Sequence, residues 1–208
     1  MRPSKILLSV CCAVICSADL AAAQIAPAAE AAKTLLNLKA ASALESAAAG
    51  KYLAFAAQAD KEGFTQAASL FRGLARSEQA LLKNTNNALL LAAVPAPTPA
   101  SFAQPKSTPE NLRTAFFEAS QLSSSYPGYV DTAKLENHVI AIRVFEWAAK
   151  VRAQHVKLLT DVLNDSANWK SGKKTYVVCQ RCGYVTAQTT IQVCPVSFAA
   201  RADFSEVE

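Results

Sequence analysis

The sequence predicts a mostly α protein, a bundle of four helices followed by a small β-rich module that carries cysteines. Three observations predict it. The first half of the chain recurs in the second at an offset of 74: TLLNLK at 34–39 answers TPENLR at 108–113, Tyr52 matches Tyr126, Glu62 matches Glu136, and Phe71 matches Phe145. Each half divides into two long stretches separated by one residue that suits a left-handed turn. After Trp169 the composition changes to KTYVVCQRCGYVTAQTTIQV, β-branched and punctuated by Gly and Cys.

The chain opens MRPSKILLSVCCAVICSADLAAAQ. Arg2 and Lys5 precede an apolar run from Ile6 to Ala18, and Ala21-Ala22-Ala23 offers a cleavage site before Gln24. The expectation is a signal peptide over residues 1–23, its apolar run too short to span a bilayer, and a periplasmic or secreted protein with no membrane association after cleavage. Three of the six cysteines, Cys11, Cys12 and Cys16, leave with it. The mature chain keeps Cys179, Cys182 and Cys194, an odd number, which is not a disulfide framework. At least one thiol is then free, bound to metal or paired with another molecule. The formal net charge of +5 is spread along the chain, with only Lys173-Lys174 adjacent. No basic stripe with interleaved aromatics points to nucleic acid.

Residues 30–61 are rich in Ala, Leu, Glu and Lys and contain no Pro; Gly63 stops them, and 64–92 resumes the pattern. The second half repeats this around Asn137. Between the halves VPAPTPASFAQPKSTP (94–109) holds five prolines in sixteen residues, which makes it a long crossover. Ser107 or Thr108 caps the third helix, with Pro109 in its first turn. Two helical hairpins joined by one long connection make a ferritin-like four-helix bundle over 24–168, with a knuckle-bearing module over 169–208.

The helical stripes that face a core carry polar residues. Helix one offers Leu38, Glu45, Tyr52 and Ala59; helix two offers Phe64, Phe71, Glu78 and Thr85, with Leu74 and Leu81 between. Helix three offers Ala115, Glu118, Leu122, Ser125 and Tyr129; helix four offers Ile142, Phe145, Ala149, Arg152, His155 and Leu159. Glu45, Glu78, Glu118, Arg152 and His155 all lie roughly 22–29 Å from a helix turn at 1.5 Å per residue, so they could share one layer. Buried carboxylates there require compensation, by metal ions or by an arginine. Tyr52 and Tyr126 read as packed tyrosines with the hydroxyl bonded to a glutamate, and His138 as a packed histidine rather than a ligand.

These stretches resemble the rubrerythrin family from about Thr34 to the C-terminus. LESAAAGKYLAFAAQADKEGF is similar to that family's first helix, RSEQALLKN to its second, FEASQLSSSYP to its third and KVRAQHVKLL to its fourth. The tail, Cys179-x-x-Cys182-Gly183-Tyr184 with Cys194-Pro195 twelve residues on, resembles the rubredoxin-like module that binds one iron through two C-x-x-C knuckles. The resemblance implies a di-iron centre that reduces hydrogen peroxide, electrons passed on by the rubredoxin-like iron, a homodimer, and a redox partner it does not name. It implies Glu45, Glu78, Glu118 and His155 as bundle ligands and Cys179, Cys182 and Cys194 as knuckle ligands. Four positions depart from the pattern: Leu81 stands for a histidine, Gln121 and Arg152 for glutamates, and Ser197 for the fourth cysteine.

A pair of irons needs several anionic oxygens, and here one carboxylate became an amide and another a fixed cation. The layer then takes one of three forms: a di-iron site, a single metal on Glu45, Glu78, Glu118 and His155, or an arginine–carboxylate network in which Arg152 binds a glutamate bidentately. The expectation is a degenerate site of the third form. Three thiolates with Ser197 could hold iron or zinc; otherwise Cys179 and Cys182 pair or stay free. The functions in contention are a rubrerythrin-like iron protein with residual metal binding or a structural role, an active peroxide-reducing or electron-transfer protein, and a thiol redox sensor.

Overall fold

The computed structural model describes residues 32–99 and 101–208; the expected signal peptide lies outside them. Four helices form the bundle: α1 (Lys33–Lys61), α2 (Thr65–Leu91), α3 (Thr108–Leu135) and α4 (Val139–Asn164). Among the described residues no helix is long and apolar enough to cross a membrane.

The internal repeat is exact at the turns. Gly63 (φ 75°) and Asn137 (φ 55°), 74 residues apart, both take the left-handed conformation that lets the chain reverse. The Phe64 N–H then reaches the Ala59 carbonyl at 2.8 Å, and the repeat-related His138 N–H reaches that of Ala133 at 2.9 Å. The halves also cap one another. Glu62, just past the end of α1, accepts from the Thr108 N–H at the start of α3 (2.8 Å). Glu136, just past α3, accepts from the N–H groups of Lys33 (2.9 Å) and Thr34 (3.0 Å) at the start of α1. Each carboxylate thus fills orphan donors at a positive helix end, and these hydrogen bonds hold both acids below their ordinary range. Ser107 is the N-cap of α3, with Pro109 behind it and Glu110 reaching back to the Ser107 N–H (3.3 Å). His138 caps α4 by accepting from the Ala141 N–H (3.2 Å).

The stripes on α1, α2 and α4 are buried at nearly every expected position. That on α3 is rotated: the buried residues are Leu112, Ala115, Ala119, Tyr126, Val130 and Ala133, while Gln121 and Ser125 are exposed and Glu118, Leu122 and Tyr129 are half-buried. The core therefore divides into two apolar clusters. One holds Tyr52, Phe55, Phe71, Leu74, Leu112, Ala115 and Leu159. The other holds Leu38, Leu81, Leu89, Tyr126, Val130 and Phe145.

Past α4, Trp169 is buried, its indole N–H bonded to the Val162 carbonyl (2.5 Å), and the chain turns into the module. Strands β1 (Tyr176–Cys179), β2 (Val185–Thr186) and β3 (Phe204–Val207) form an antiparallel sheet in the order β2-β1-β3, with Val178 opposite Val185 and Cys179 opposite Phe204. The module lies against α2 and α4. Asn84 donates to the Arg181 carbonyl (2.8 Å) and Gln154 to that of Val185 (3.1 Å). Gly73 admits Tyr176: a Cβ there would lie 3.2 Å from the tyrosine Cβ. Trp147 packs on the cysteine cluster from the α4 side.

Candidate metal centre

Between the two apolar clusters sits a buried polar layer. Glu45, Glu78, Arg152 and His155 are all fully buried. The repeat explains their pairing: 78 and 152 are related by the offset of 74, as are 81 and 155, and Glu78 meets Arg152 across the bundle through Nη1 and Oε1. The contact is a single hydrogen bond and not the expected bidentate fork, because Arg152 Nε and Nη2 and Glu78 Oε2 find no protein partner. The guanidinium also lies 5.6 Å from the Tyr126 ring centroid. The Tyr126 hydroxyl donates to Glu45 Oε1 (2.9 Å), leaving Glu45 Oε2 unpartnered.

Glu118 does not join this layer. Counting 74 residues from Glu45 gives Ala119, which is buried, and a neighbour on a helix is turned by about 100°. Glu118 therefore faces outward between α1 and α3, its side chain 36% exposed, and pairs with Lys51 at 2.5 Å. Gln121 is on the surface for the same reason. Leu81 is buried in the apolar cluster next to the layer.

Charge sorts itself accordingly. Burial opposes ionisation of Glu78, yet the Arg152 guanidinium outweighs it and holds the carboxyl below its usual range. Glu45 is pushed up to about 7, by burial against only partial relief from Arg152. Burial pushes His155 down, so the imidazole is neutral at pH 7. Its tautomer follows from its partners. Ser77 Oγ donates to the Gly183 carbonyl, which can only accept, so Ser77 receives the Nε2–H of His155 (2.7 Å). His155 Nδ1 lies 3.4 Å from Glu78 Oε1.

That serine links the layer to the knuckle. Gly183 has φ 86°, and a Cβ there would lie 2.8 Å from the Ser77 backbone oxygen. Only glycine allows the Cys179–Gly183 turn to seat on α2. The Sγ atoms of Cys179, Cys182 and Cys194 lie within 4.8 Å of one another, all buried and none in a disulfide. Cys182 Sγ and Cys194 Sγ stand 3.5 Å apart. A tetrahedral ion with ~2.3 Å bonds to sulfur spaces its ligands by about 3.8 Å, so the trio fits one metal. Ser197 Oγ lies 3.4 Å from Cys179 Sγ. The neighbouring thiols of Cys179 and Cys182 pull Cys194 down toward thiolate, and the same contacts push Cys182 up.

Sequence reasoning missed Ser77 and the Lys51 partner of Glu118; neither carries a motif, and Ser77 shows itself only once the module is docked. The rubrerythrin family model matches residues 37–92. A rubrerythrin of Porphyromonas gingivalis is 31% identical over 183 residues, covering 85% of this chain and 90% of its own length. The chain belongs to the rubrerythrin family. A nigerythrin of Nitratidesulfovibrio vulgaris is 30% identical over 175 residues, covering 83% of this chain and 85% of its own length. Solved structures of nigerythrin in a mixed-valence state and in a fully reduced, all-ferrous state are 28% identical, each covering 83% of this chain and 86% of its own, with TM-scores of 0.75 and 0.74. Membership of the rubrerythrin family makes iron the expected metal, and the three cysteines are a donor set for it.

Proposed function

We propose that this chain is an exported rubrerythrin-family non-haem iron protein that holds its metal in the cysteine knuckle and has exchanged the bundle's di-iron centre for an arginine–carboxylate network. The observation that carries this reading is the fully buried guanidinium of Arg152 bonded to Glu78. Two divalent ions do not fit the layer. They need several anionic oxygens, whereas the layer offers two carboxylates, one of them raised to about 7, beside a permanent cation. Glu118 is turned away to Lys51, and the partner of His155 by symmetry is the apolar Leu81.

The knuckle does fit an ion. Cys179, Cys182 and Cys194 would hold it, and iron there supplies one-electron chemistry. The protein's part is to keep water off the sulfurs with Val177, Phe204 and Trp147, and to direct the Ser197 N–H at Cys194 Sγ (3.5 Å). Elemental analysis with an absorption spectrum, on protein made without residues 1–23, tests the reading. The expected result is metal close to stoichiometric with the knuckle and absent from Cys179→Ser. Iron that persists in Cys179→Ser would place it in the bundle and overturn the proposal. The leader supports export, with Gln24 as the expected mature N-terminus on sequencing of the periplasmic fraction. The family resemblance supports a homodimer, which light scattering tests.

A further inference from the structure

Resting on the reading that the knuckle holds a metal, we infer that Ser197 leaves that metal a fourth position open to exchange, so that the module binds a small exogenous donor instead of only relaying electrons. The backbone of the second knuckle is intact. Phe198 N–H reaches the Cys194 carbonyl (3.0 Å) and Cys194 N–H the Ala199 carbonyl (2.8 Å), just as Gly183 N–H reaches that of Cys179 (2.8 Å) in the first. Phe198 takes the left-handed conformation (φ 57°) that Gly183 takes in the first knuckle. A phenylalanine, here an exposed one, adopts that conformation only where the surrounding bonds impose it. Position 197 is therefore held where a fourth sulfur ligand belongs, and what stands there is a hydroxymethyl group.

Oxygen cannot simply replace sulfur at a fixed backbone position. Metal–oxygen bonds of ~2.0–2.2 Å are shorter than the ~2.3 Å to sulfur, and the serine side chain is itself shorter, so both differences withdraw Oγ from the ion. The bridge between Val193 and Ala200, together with the two knuckle hydrogen bonds, resists the inward shift that would close the gap. A neutral hydroxyl is also a poorer ligand than a thiolate. Access is one-sided: the three cysteines are buried, whereas Ser197 is half-buried between exposed Pro195 and Phe198. Three protein ligands and one solvent-facing position are the arrangement of a reactive metal site, in contrast to the closed four-thiolate site of a purely structural or electron-relaying one. A small anion such as azide or a peroxide is the donor class that fits.

The test loads cobalt(II) anaerobically into reduced protein and titrates it with azide, with thiolate-to-cobalt absorption reporting loading and the ligand-field bands reporting coordination. A saturable change in the ligand-field bands is expected in the wild type and in Ser197→Ala, and its loss in Ser197→Cys, where a fourth thiolate closes the shell. A loaded wild type that ignores azide, a response confined to Ser197→Ala, or an equal response in Ser197→Cys would each overturn the inference. Failure to load cobalt in the wild type would sink the knuckle reading, and this inference with it; the absorption bands separate the two failures.

Discussion

Replacing Arg152 by Leu removes the one cation from a layer with no access to water. Glu78 makes its one hydrogen bond to that guanidinium and stands 3.4 Å from a neutral imidazole, so no other charge offsets its own. Breaking a buried pair from one side costs about 3–5 kcal/mol. The pH dependence carries the sharper signature. In the wild type Glu78 is held below its ordinary value, so it contributes stability above that value that is lost as pH falls through its folded pKa. Without Arg152, burial raises it, and the sign reverses: stability is fullest in acid and is lost as pH rises. The gap between wild type and Arg152→Leu, measured by urea unfolding with chelator present, is therefore expected to be large at pH 8 and to shrink toward pH 5. The double variant Arg152→Leu/Glu78→Leu is expected to recover most of the loss, since apolar replacement of a buried pair is neutral or stabilising by about 1–4 kcal/mol. A loss under about 1 kcal/mol in the single variant, or one that does not change with pH, would refute the reasoning.

Glu45 gives the opposite pH behaviour. Its carboxyl is raised from 4.5 to about 7, so the wild type loses stability as pH climbs through that window. Glu45→Gln keeps an acceptor for Tyr126 and is expected to gain about 2–3 kcal/mol on the wild type between pH 5 and pH 8, by denaturant unfolding. Gly183→Ala forces a Cβ against the Ser77 backbone at a left-handed φ and is expected to cost at least ~2 kcal/mol, seen as early proteolysis of residues 169–208 while the bundle survives. Restoring the symmetric partners together, Ala119→Glu, Arg152→Glu and Leu81→His, is expected to let the bundle bind cobalt(II) where the wild type does not; the same triple with Glu118 removed should bind equally, since Glu118 points away.

Most of the architecture could be read from the residues. The offset of 74 located both turns, and the prolines of 94–109 located the crossover, because left-handed and proline positions are dictated by backbone geometry that side-chain packing does not override. Cys179, Cys182 and Cys194 converge as their spacing implied. Helix three was misjudged by one residue. Glu118 fell on a plausible stripe only because alanines occupy the true one, and Ala115 and Ala119 give no amphipathic contrast by which to orient a helix. The single-contact geometry of Arg152 was equally invisible, for it depends on how close two backbones approach.

The repeat supplies the physical logic of the layer. Its symmetric pairs are Glu45 with Ala119, Glu78 with Arg152, and Leu81 with His155, so in each pair one metal-binding side chain stands opposite a residue that cannot bind metal. The three exchanges are mutually dependent. Arginine beside Glu78 neutralises one acid, but a second ionised carboxyl would leave the layer with net negative charge in a dry interior. Below about pH 7 Glu45 resolves this by keeping its proton, with Tyr126 as donor to its other oxygen. Alanine at 119 adds no further acid, and below about pH 7 the layer holds one guanidinium, one carboxylate, one carboxylic acid and a neutral imidazole. Their sum is zero, so the fold needs no ion to close the bundle. An incoming divalent cation would meet a fixed positive charge and would have to displace the only strong bond that charge makes.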